Sequence, residues 1–323
     1  MNLQLATGGA MTDQAYVYLG DALASYGFGG GHPFSSQRYT AFKEAFVQHD
    51  FARRCHVQAP AVADASVLER FHTKDYVQRV RERSKDGVGW LDYGDTPAFK
   101  GVYEAAATVV GTTMDAMTRI ITGECKRAFV PIAGLHHAAR DSAAGFCVFN
   151  DCGVAIETLQ DQYGLKRVAY VDIDAHHGDG VFYAFEADPG VLIADLHQDG
   201  RTLYPGTGFA NETGTGRAQG TKLNIPLPPG ADDDLFMSAW EKAERFLHAQ
   251  QPEFILLQCG ADSIKGDPIT AMAWTPKAYS HAAERLRKIA ETYSEGRLLA
   301  TGGGGYNLRN IAAGWSAVID VLL

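Results

Sequence analysis

The sequence predicts an α/β protein built on a mostly parallel sheet, and two observations carry that prediction. Short apolar runs of strand length alternate with longer segments of helical periodicity, and unusual polar residues cluster just past the ends of the apolar runs. The runs Arg127–Ile132, Arg167–Ile173, Val191–Leu196, Phe254–Gln258 and Arg297–Thr301 are continuously apolar at their centres, as strands buried on both faces must be. Helical patterns over Gly101–Ile121, Asp234–Ala249 and Pro276–Thr292 separate them. His136 and His137 follow the first run, Asp174 to Asp179 the second, His197 the third, Asp262 the fourth and Tyr306 the fifth. Open α/β sheets bind ligands in the crevice at the carboxyl ends of their strands, so five separate segments point to one site.

With 323 residues, and no repeat or Pro/Ser-rich linker to divide them, the chain is expected to form one domain over 13–323. Residues 1–12 are expected to be a flexible tail. A composition 46% hydrophobic and 21% charged is that of a globular protein rather than a disordered one. A net charge of −9 supplies no basic field for phosphate, so no direct nucleic-acid partner is expected, and cationic ligands fit better. No apolar stretch reaches membrane-span length, and the opening residues carry neither a basic n-region nor a long apolar h-region, so no secretory leader is expected. Five scattered cysteines form neither a CxxC pair nor a disulfide framework. The expectation is a cytoplasmic protein without a membrane partner, with homo-oligomerisation left open.

The densest chemical signal is Asp172-Ile-Asp174-Ala-His176-His177-Gly-Asp179-Gly180. A period-two spacing places Asp172, Asp174 and His176 on one side of an extended backbone, where carboxylate and imidazole can converge on one divalent ion. Asp262, a few residues beyond another buried run, is the best further ligand. Two carboxylates and one imidazole without a thiolate leave coordination positions free for water and substrate, the open arrangement of a catalytic ion. Adjacent residues on an extended chain point to opposite sides, so at most one of His136 and His137 is expected at the metal. Asp172 and Asp179 can each back one of these imidazoles, fixing its tautomer and raising its basicity. One neutral His then serves as general base and the other as an acid or electrostatic partner. The glycine run Gly302–Gly305 lacks the Lys and Ser/Thr of a phosphate loop, so it is read as close backbone approach to a crowded site. Tyr306, just after it, can place a phenol where an oxyanion develops. Phe146 and Tyr204, on glycine-flanked loops, can wall a channel for an unbranched alkyl chain.

With these residues in place the sequence resembles the zinc-dependent histone deacetylase superfamily, which includes acetoin-utilisation proteins and acetylpolyamine amidohydrolases; it looks like a class I-like member of bacterial type. The motifs stand in family order: GHPFSSQR at Gly31–Arg38, Asp95 before Pro97, GLHHA at Gly134–Ala138, GFCVFND at Gly145–Asp151, DIDAHHGDG at Asp172–Gly180, YPGTG at Tyr204–Gly208, GADSIKGDP at Gly260–Pro268 and GGGGY at Gly302–Tyr306. The resemblance implies a single-domain arginase/deacetylase-like fold with zinc, or iron(II) in the cell, on Asp174, His176 and Asp262. It implies His137 as base with Asp179, His136 as its electrostatic partner with Asp172, and Tyr306 as donor to the acyl oxygen. It further implies Asp95 holding substrate backbone at the rim, Gly145, Phe146 and Tyr204 lining an acyl-lysine channel, and Arg38 near an internal acetate pocket. An inner monovalent cation site, usually potassium, would use Asp172, Asp174, His176, Asp195 and Leu196.

The chain departs from the family pattern at three positions. Asp195 stands where many members have Ser, making the inner cation site more anionic. Tyr204 replaces the commoner Phe. Ile269 stands at a rim position where polyamine-specific members carry Glu, which favours acyl-lysine peptides or proteins over acylated polyamines as partners. The glycine-rich segment Gly27–Gly31 suggests an open or mobile mouth. Two other readings remain: a two-metal ureohydrolase of related architecture, and a binding-only protein that has kept the fold without turnover.

Overall fold

The computed structural model describes residues 14–323; the tail expected over 1–12 lies outside the described residues. Eight strands form one sheet in which every pairing is parallel: β1 (Tyr16–Tyr18), β2 (His56–Gln58), β3 (Arg127–Val130), β4 (Val168–Asp172), β5 (Val191–Gln198), β6 (Lys222–Leu227), β7 (Phe254–Gln258) and β8 (Leu298–Thr301). Their order across the sheet is β2-β1-β3-β8-β7-β4-β5-β6. The helices among the described residues are α1 (Gln37–Gln48), α2 (Ala65–Leu68), α3 (Lys74–Asp86), α4 (Val102–Ile121), α5 (Asp151–Asp161), α6 (Asp179–Phe185), α7 (Asp233–Gln250), α8 (Pro276–Tyr293) and α9 (Leu308–Leu322). None of them is long and apolar enough to cross a membrane.

The order has a functional consequence. Strands β7 and β4 are neighbours in the sheet, yet β4 leads on to β5 at one side and β7 to β8 at the other, so the connections diverge at this point. Because all strands are parallel, the loops leaving β3, β8, β7, β4 and β5 emerge side by side on one edge. The loops after β3, β8, β7 and β4 carry four of the polar clusters.

The five apolar runs are all strands, with ends trimmed by chemistry. β3 stops at Val130 because Ile132 takes a left-handed backbone, φ 67°, which a β-branched side chain seldom adopts. β5 runs on to Gln198, so His197 lies within the strand rather than after it. The short strands β1 and β2 and the edge strand β6 were not legible as apolar runs. His56-Val-Gln58 is largely exposed, and β6 opens on a lysine and contains a proline.

Helix starts follow capping chemistry. Thr73, Asp232, Thr275 and Asn307 each accept a backbone N–H of the first turn of α3, α7, α8 and α9. α9 closes over the site from below. Its fully buried Trp315 donates its indole N–H to Gly302 O at 2.8 Å, fixing the start of the glycine run after β8. Trp315→Phe keeps the ring but leaves that buried carbonyl unpaired; it should cost about 1–3 kcal/mol in urea unfolding.

Candidate metal centre and active site

β4 ends at Asp172, and the chain then turns rather than continuing extended. Asp174 N donates to Asp172 Oδ1 at 3.0 Å, and His176 N donates to Asp174 Oδ1 at 3.0 Å. These consecutive side-chain-to-backbone turns correct the expectation that period-two spacing sets Asp172, Asp174 and His176 on one face. Asp172 is turned away to the histidine pair, while Asp174 and His176 face Asp262, which sits in a single 3-10 turn after β7. His176 Nδ1 lies 3.0 Å from Asp174 Oδ1 and 3.1 Å from Asp262 Oδ2. One ligand atom from each of the three buried residues lies within 4.8 Å of the others.

The cradle is shaped for these carboxylates. Gln258 Nε2 and Gly304 N donate to Asp174 Oδ2 at 2.9 and 2.8 Å, and Ala175 N donates to Asp262 Oδ1 at 3.0 Å. A Cβ on Gly304 would stand 2.3 Å from Asp262 Oδ2, and one on Gly260 would stand 1.9 Å from Asp174 Oδ2. Only glycine permits this approach.

The electrostatics fit a divalent cation. Burial opposes charge on both carboxylates, and two of them share a single imidazole. Burial and the neighbouring Asp174 push Asp262 up to about 7. Burial works against a charge on His176 too, but its hydrogen bonds to Asp174 and Asp262 outweigh that and push it up to about 10. A site that binds a proton so tightly between three ligand atoms has the polarity and donor set of a cation site. Two oxygens and one nitrogen suit zinc or iron(II).

His136 and His137 follow β3 in a loop that is not extended, so both rings face the site, while the clustered metal-ligand atoms belong to Asp174, His176 and Asp262. The Nε2 atoms of the two rings are 3.1 Å apart. Gly134 at φ 93° reverses the backbone, and Asp151 holds the turn by accepting Gly134 N and Leu135 N at 3.0 and 2.8 Å. His136 Nδ1 lies 2.7 Å from Asp172 Oδ2, and His137 Nδ1 lies 2.7 Å from Asp179 Oδ1 at the start of α6. Burial disfavours protonation of both, with opposite outcomes. Asp172 and Asp174 overcome burial at His136 and raise it to about 9. Burial, followed by the neighbouring His136, lowers His137 to about 4 despite Asp179.

Above the ligands a cavity of about 270 Å³ is lined by Asp95, His137, Gly145, Phe146, His176, Leu203, Tyr204, Ile269 and Tyr306. It joins every rim and channel residue singled out in the sequence to His137, a metal ligand and the phenol. Phe146 is held at φ 68°, a strained backbone for an aromatic residue, and its N–H donates to Thr96 Oγ1 at 3.0 Å. Its ring meets Tyr306 edge-on at 5.8 Å, and Tyr204 meets His137 at 5.1 Å. The Gly27–Gly31 segment is tied down rather than loose. Phe28 N donates to Phe34 O at 2.8 Å, and the His32 ring reaches Asp95 O at 3.1 Å.

Arg38 is fully buried beneath the glycine run. Its guanidinium donates to Gly305 O at 2.7 Å and Gly303 O at 2.5 Å, and Nη1 has no partner among the described residues. Asp195 and Leu196 lie on β5 beside β4, with Asp195 in register with Asp172. The Asp195 carboxylate is engaged by the protein: His197 Nδ1 lies 2.6 Å from Oδ1, and Gly178 N donates to Oδ2 at 2.9 Å. The added negative charge is therefore met by an imidazole of the chain itself.

Three supporting residues escaped the sequence reading. Gln258 bridges Asp174, Gly134 O and the His136 ring; its signal was a polar residue ending an apolar strand. Asn150 caps α5 through Gly153 N while its Nδ2 donates to His136 O and Ala138 O. His72 Nε2 accepts Asn150 N at 2.9 Å, and nothing in its local sequence marks it.

Fold and site together define an α/β protein of the arginase/deacetylase-like architecture with a buried candidate metal centre. The chain belongs to the histone deacetylase domain family, which matches residues 32–322. It is 36% identical to the acetoin utilization protein AcuC of Bacillus subtilis (strain 168), over 95% of this chain and 81% of that protein. It is 34% identical to histone deacetylase 8 of Danio rerio, over 83% of this chain and 71% of that one. The crystal structure of the HDA15 HD domain superposes with a TM-score of 0.89 at 30% identity, covering 96% of this chain and 90% of that one. The chain is thus an enzyme of a family of amide hydrolases.

Two predictions follow from the supports. Gly304→Ala should lower divalent-metal affinity on the order of 100-fold in a chelator competition titration, since its methyl displaces a ligand carboxylate. Burial holds the His72 imidazole down at about 3, with carbonyl hydrogen bonds only partly offsetting this, so it is neutral in the fold. The unfolded chain takes up this proton near 6.5. Stability from His72 is thus complete above that pH and is lost as pH falls from 6.5 toward 3, by up to about 1.4 kcal/mol per pH unit. His72→Gln should flatten that acid slope in unfolding titrations.

Proposed function

We propose that this enzyme is a zinc-dependent lysine deacylase that removes acetyl or other short acyl groups from the side chains of peptides or proteins. The observation that carries the proposal is the single cavity that brings a neutral histidine, a metal ligand and a phenol to the base of an aromatic-lined channel. A divalent ion on Asp174, His176 and Asp262, zinc or iron(II), would supply Lewis-acid polarisation of the acyl carbonyl and acidify the attacking water.

The chain's own groups supply the rest. His137, kept neutral and oriented through Nδ1 by Asp179, takes a proton from water as its oxygen adds to the acyl carbon. Burial keeps the Tyr306 phenol protonated, so its O–H remains a donor to the acyl oxygen and to the tetrahedral oxyanion. His136, paired with Asp172, carries the positive charge that stabilises this intermediate. When the C–N bond breaks, the proton passes to the departing amine, leaving acetate and lysine. The unpaired Nη1 of buried Arg38 suits the acetate carboxylate. Asp95 at the rim would hold the substrate backbone, and Ile269 there offers no charge to a polyamine. The inner potassium site would use Asp172, Asp174, His176, Asp195 and Leu196, with His197 offsetting the carboxylate of Asp195. Cytoplasmic residence, and acylated proteins or amines rather than nucleic acid or membrane as partners, complete the reading.

The test is acetate release from an acetyl-lysine peptide and an N-acetylpolyamine side by side, with metal-loaded and chelator-stripped protein. Metal-dependent turnover favouring the peptide is expected; preference for the polyamine would assign the enzyme to small-molecule amines instead, and acyl-peptide binding without product would make it a binding protein. Tyr306→Phe should lower kcat on the order of 100-fold or more with little change in KM.

A further inference from the structure

Tyr306 is delivered to the cavity by four consecutive glycines, the backbone least able to hold a position of its own, and Gly305 before it takes φ 116°. The placement of the phenol therefore has to come from outside the glycine run. It comes from the peptide unit that joins Gly305 to Tyr306. The carbonyl of that unit accepts Arg38 Nε at 2.7 Å, and its N–H donates to Asp267 Oδ2 at 2.7 Å. A buried cation and a buried carboxylate thus hold the two poles of one peptide dipole, and a rigid plane held at both edges resists rotation. The other oxygen of Asp267, Oδ1, accepts Ile269 N at 3.1 Å, so one carboxylate also anchors the apolar rim residue. Tyr306 and Ile269 line the same cavity. Two asparagines tie the same pair of segments without Asp267: Asn307 Nδ2 donates to Gly266 O and Asn310 Nδ2 to Ile264 O, each at 3.0 Å. Loss of the carboxylate should therefore free the peptide plane without parting the segments.

We propose that Asp267 is a positioning residue for Tyr306: it touches no reacting atom, but it directs the phenol through the peptide before it and holds that phenol in register with the rim at Ile269. The inference rests on the deacylase reading, in which Tyr306 donates to the acyl oxygen, and adds to it a group that acts only through Tyr306. A hydrogen-bond donor aimed at a developing oxyanion gains its effect from being placed before the reaction, so a small error in its direction lowers the rate while leaving ground-state binding nearly unchanged.

The test is a double-mutant cycle on turnover of an acetyl-lysine peptide by the metal-loaded enzyme. Asp267→Asn keeps the shape but leaves one acceptor oxygen for two N–H groups, and Asp267→Ala leaves none. Asp267→Ala should lower kcat on the order of 10- to 100-fold, and Asp267→Asn less, while KM and divalent-metal affinity change by less than about twofold. In a Tyr306→Phe background the same substitutions should lower kcat no further, because the hydroxyl they misdirect is already gone. A loss that recurs in full beside Tyr306→Phe overturns the proposal, as does an Asp267→Ala enzyme with unaltered kcat. Should Asp267→Ala not fold, Asp267→Asn carries the same comparison. Hydrogen exchange supplies a readout that needs no substrate: exchange over residues 302–307 should quicken in the Asp267 variants while that of β4 and β7 stays as it was. Unchanged protection over 302–307, or loosening spread evenly through the sheet, overturns the clamp. Undiminished turnover by Tyr306→Phe alone overturns the deacylase reading instead, and hydrogen exchange then decides the clamp by itself.

Discussion

Four carboxylates, Asp172, Asp174, Asp195 and Asp262, are buried side by side at the carboxyl edge of β4, β5 and β7, and the surrounding structure is arranged around their charge. An isolated ionised carboxylate in such a place costs several kcal/mol, so each must find donors and the group must find positive charge. Donors come from the backbone: Asp174, Ala175, Gly178 and Gly304 N–H groups point inward because the strand ends turn sharply there. Positive charge comes from three imidazoles, His136, His176 and His197, each within 3.1 Å of one or two of the carboxylates. One of these three, His176, faces two carboxylates at once, and that is where a divalent ion best replaces a proton.

That constraint explains which parts of the molecule were legible in the sequence. The central strands could be read because burial on both faces leaves continuous runs such as Phe254–Gln258, and the ligands because two His beside three Asp at a strand exit are rare in ordinary turns. Edge elements could not, since β2 and β6 are held by one neighbour and carry the composition of loops. The directions of the site side chains were also beyond it. Alternation on an extended strand was the wrong geometry for Asp172–His176 and for His136-His137, because hydrogen bonds from Asp172, Asp174 and Asp151 bend both segments into turns. Supports such as His72 stay invisible for a different reason: they act across 78 residues of sequence on a backbone N–H, leaving no local pattern.

Two strained residues stand where the site needs position rather than stability. Ile132 and Phe146 both hold left-handed backbones, one at the start of the histidine loop and one at the channel wall. Such residues persist only where the surroundings over-determine them. Around Phe146 the restraint is visible: its N–H is held by Thr96, its carbonyl accepts the Tyr26 hydroxyl at 2.7 Å, and its ring is packed by His32 and Tyr306. A channel wall fixed on four sides keeps its width when the cavity fills.

The two adjacent histidines show how placement assigns chemistry to identical side chains. Both are buried and each has a carboxylate at 2.7 Å, so pairing alone would give them equal basicity. The partners differ in setting. Asp172 is wholly buried and surrounded by Asp174 and Asp195, a concentration of negative charge that favours an imidazolium at His136. Asp179 has a side chain 20% exposed, where solvent weakens its field. His137 also faces the His136 it adjoins, and repulsion between like charges 3.1 Å apart at Nε2 keeps the outer ring neutral before reaction. The pair therefore holds one proton on the inner ring and leaves the outer ring, which lines the channel, free to accept another.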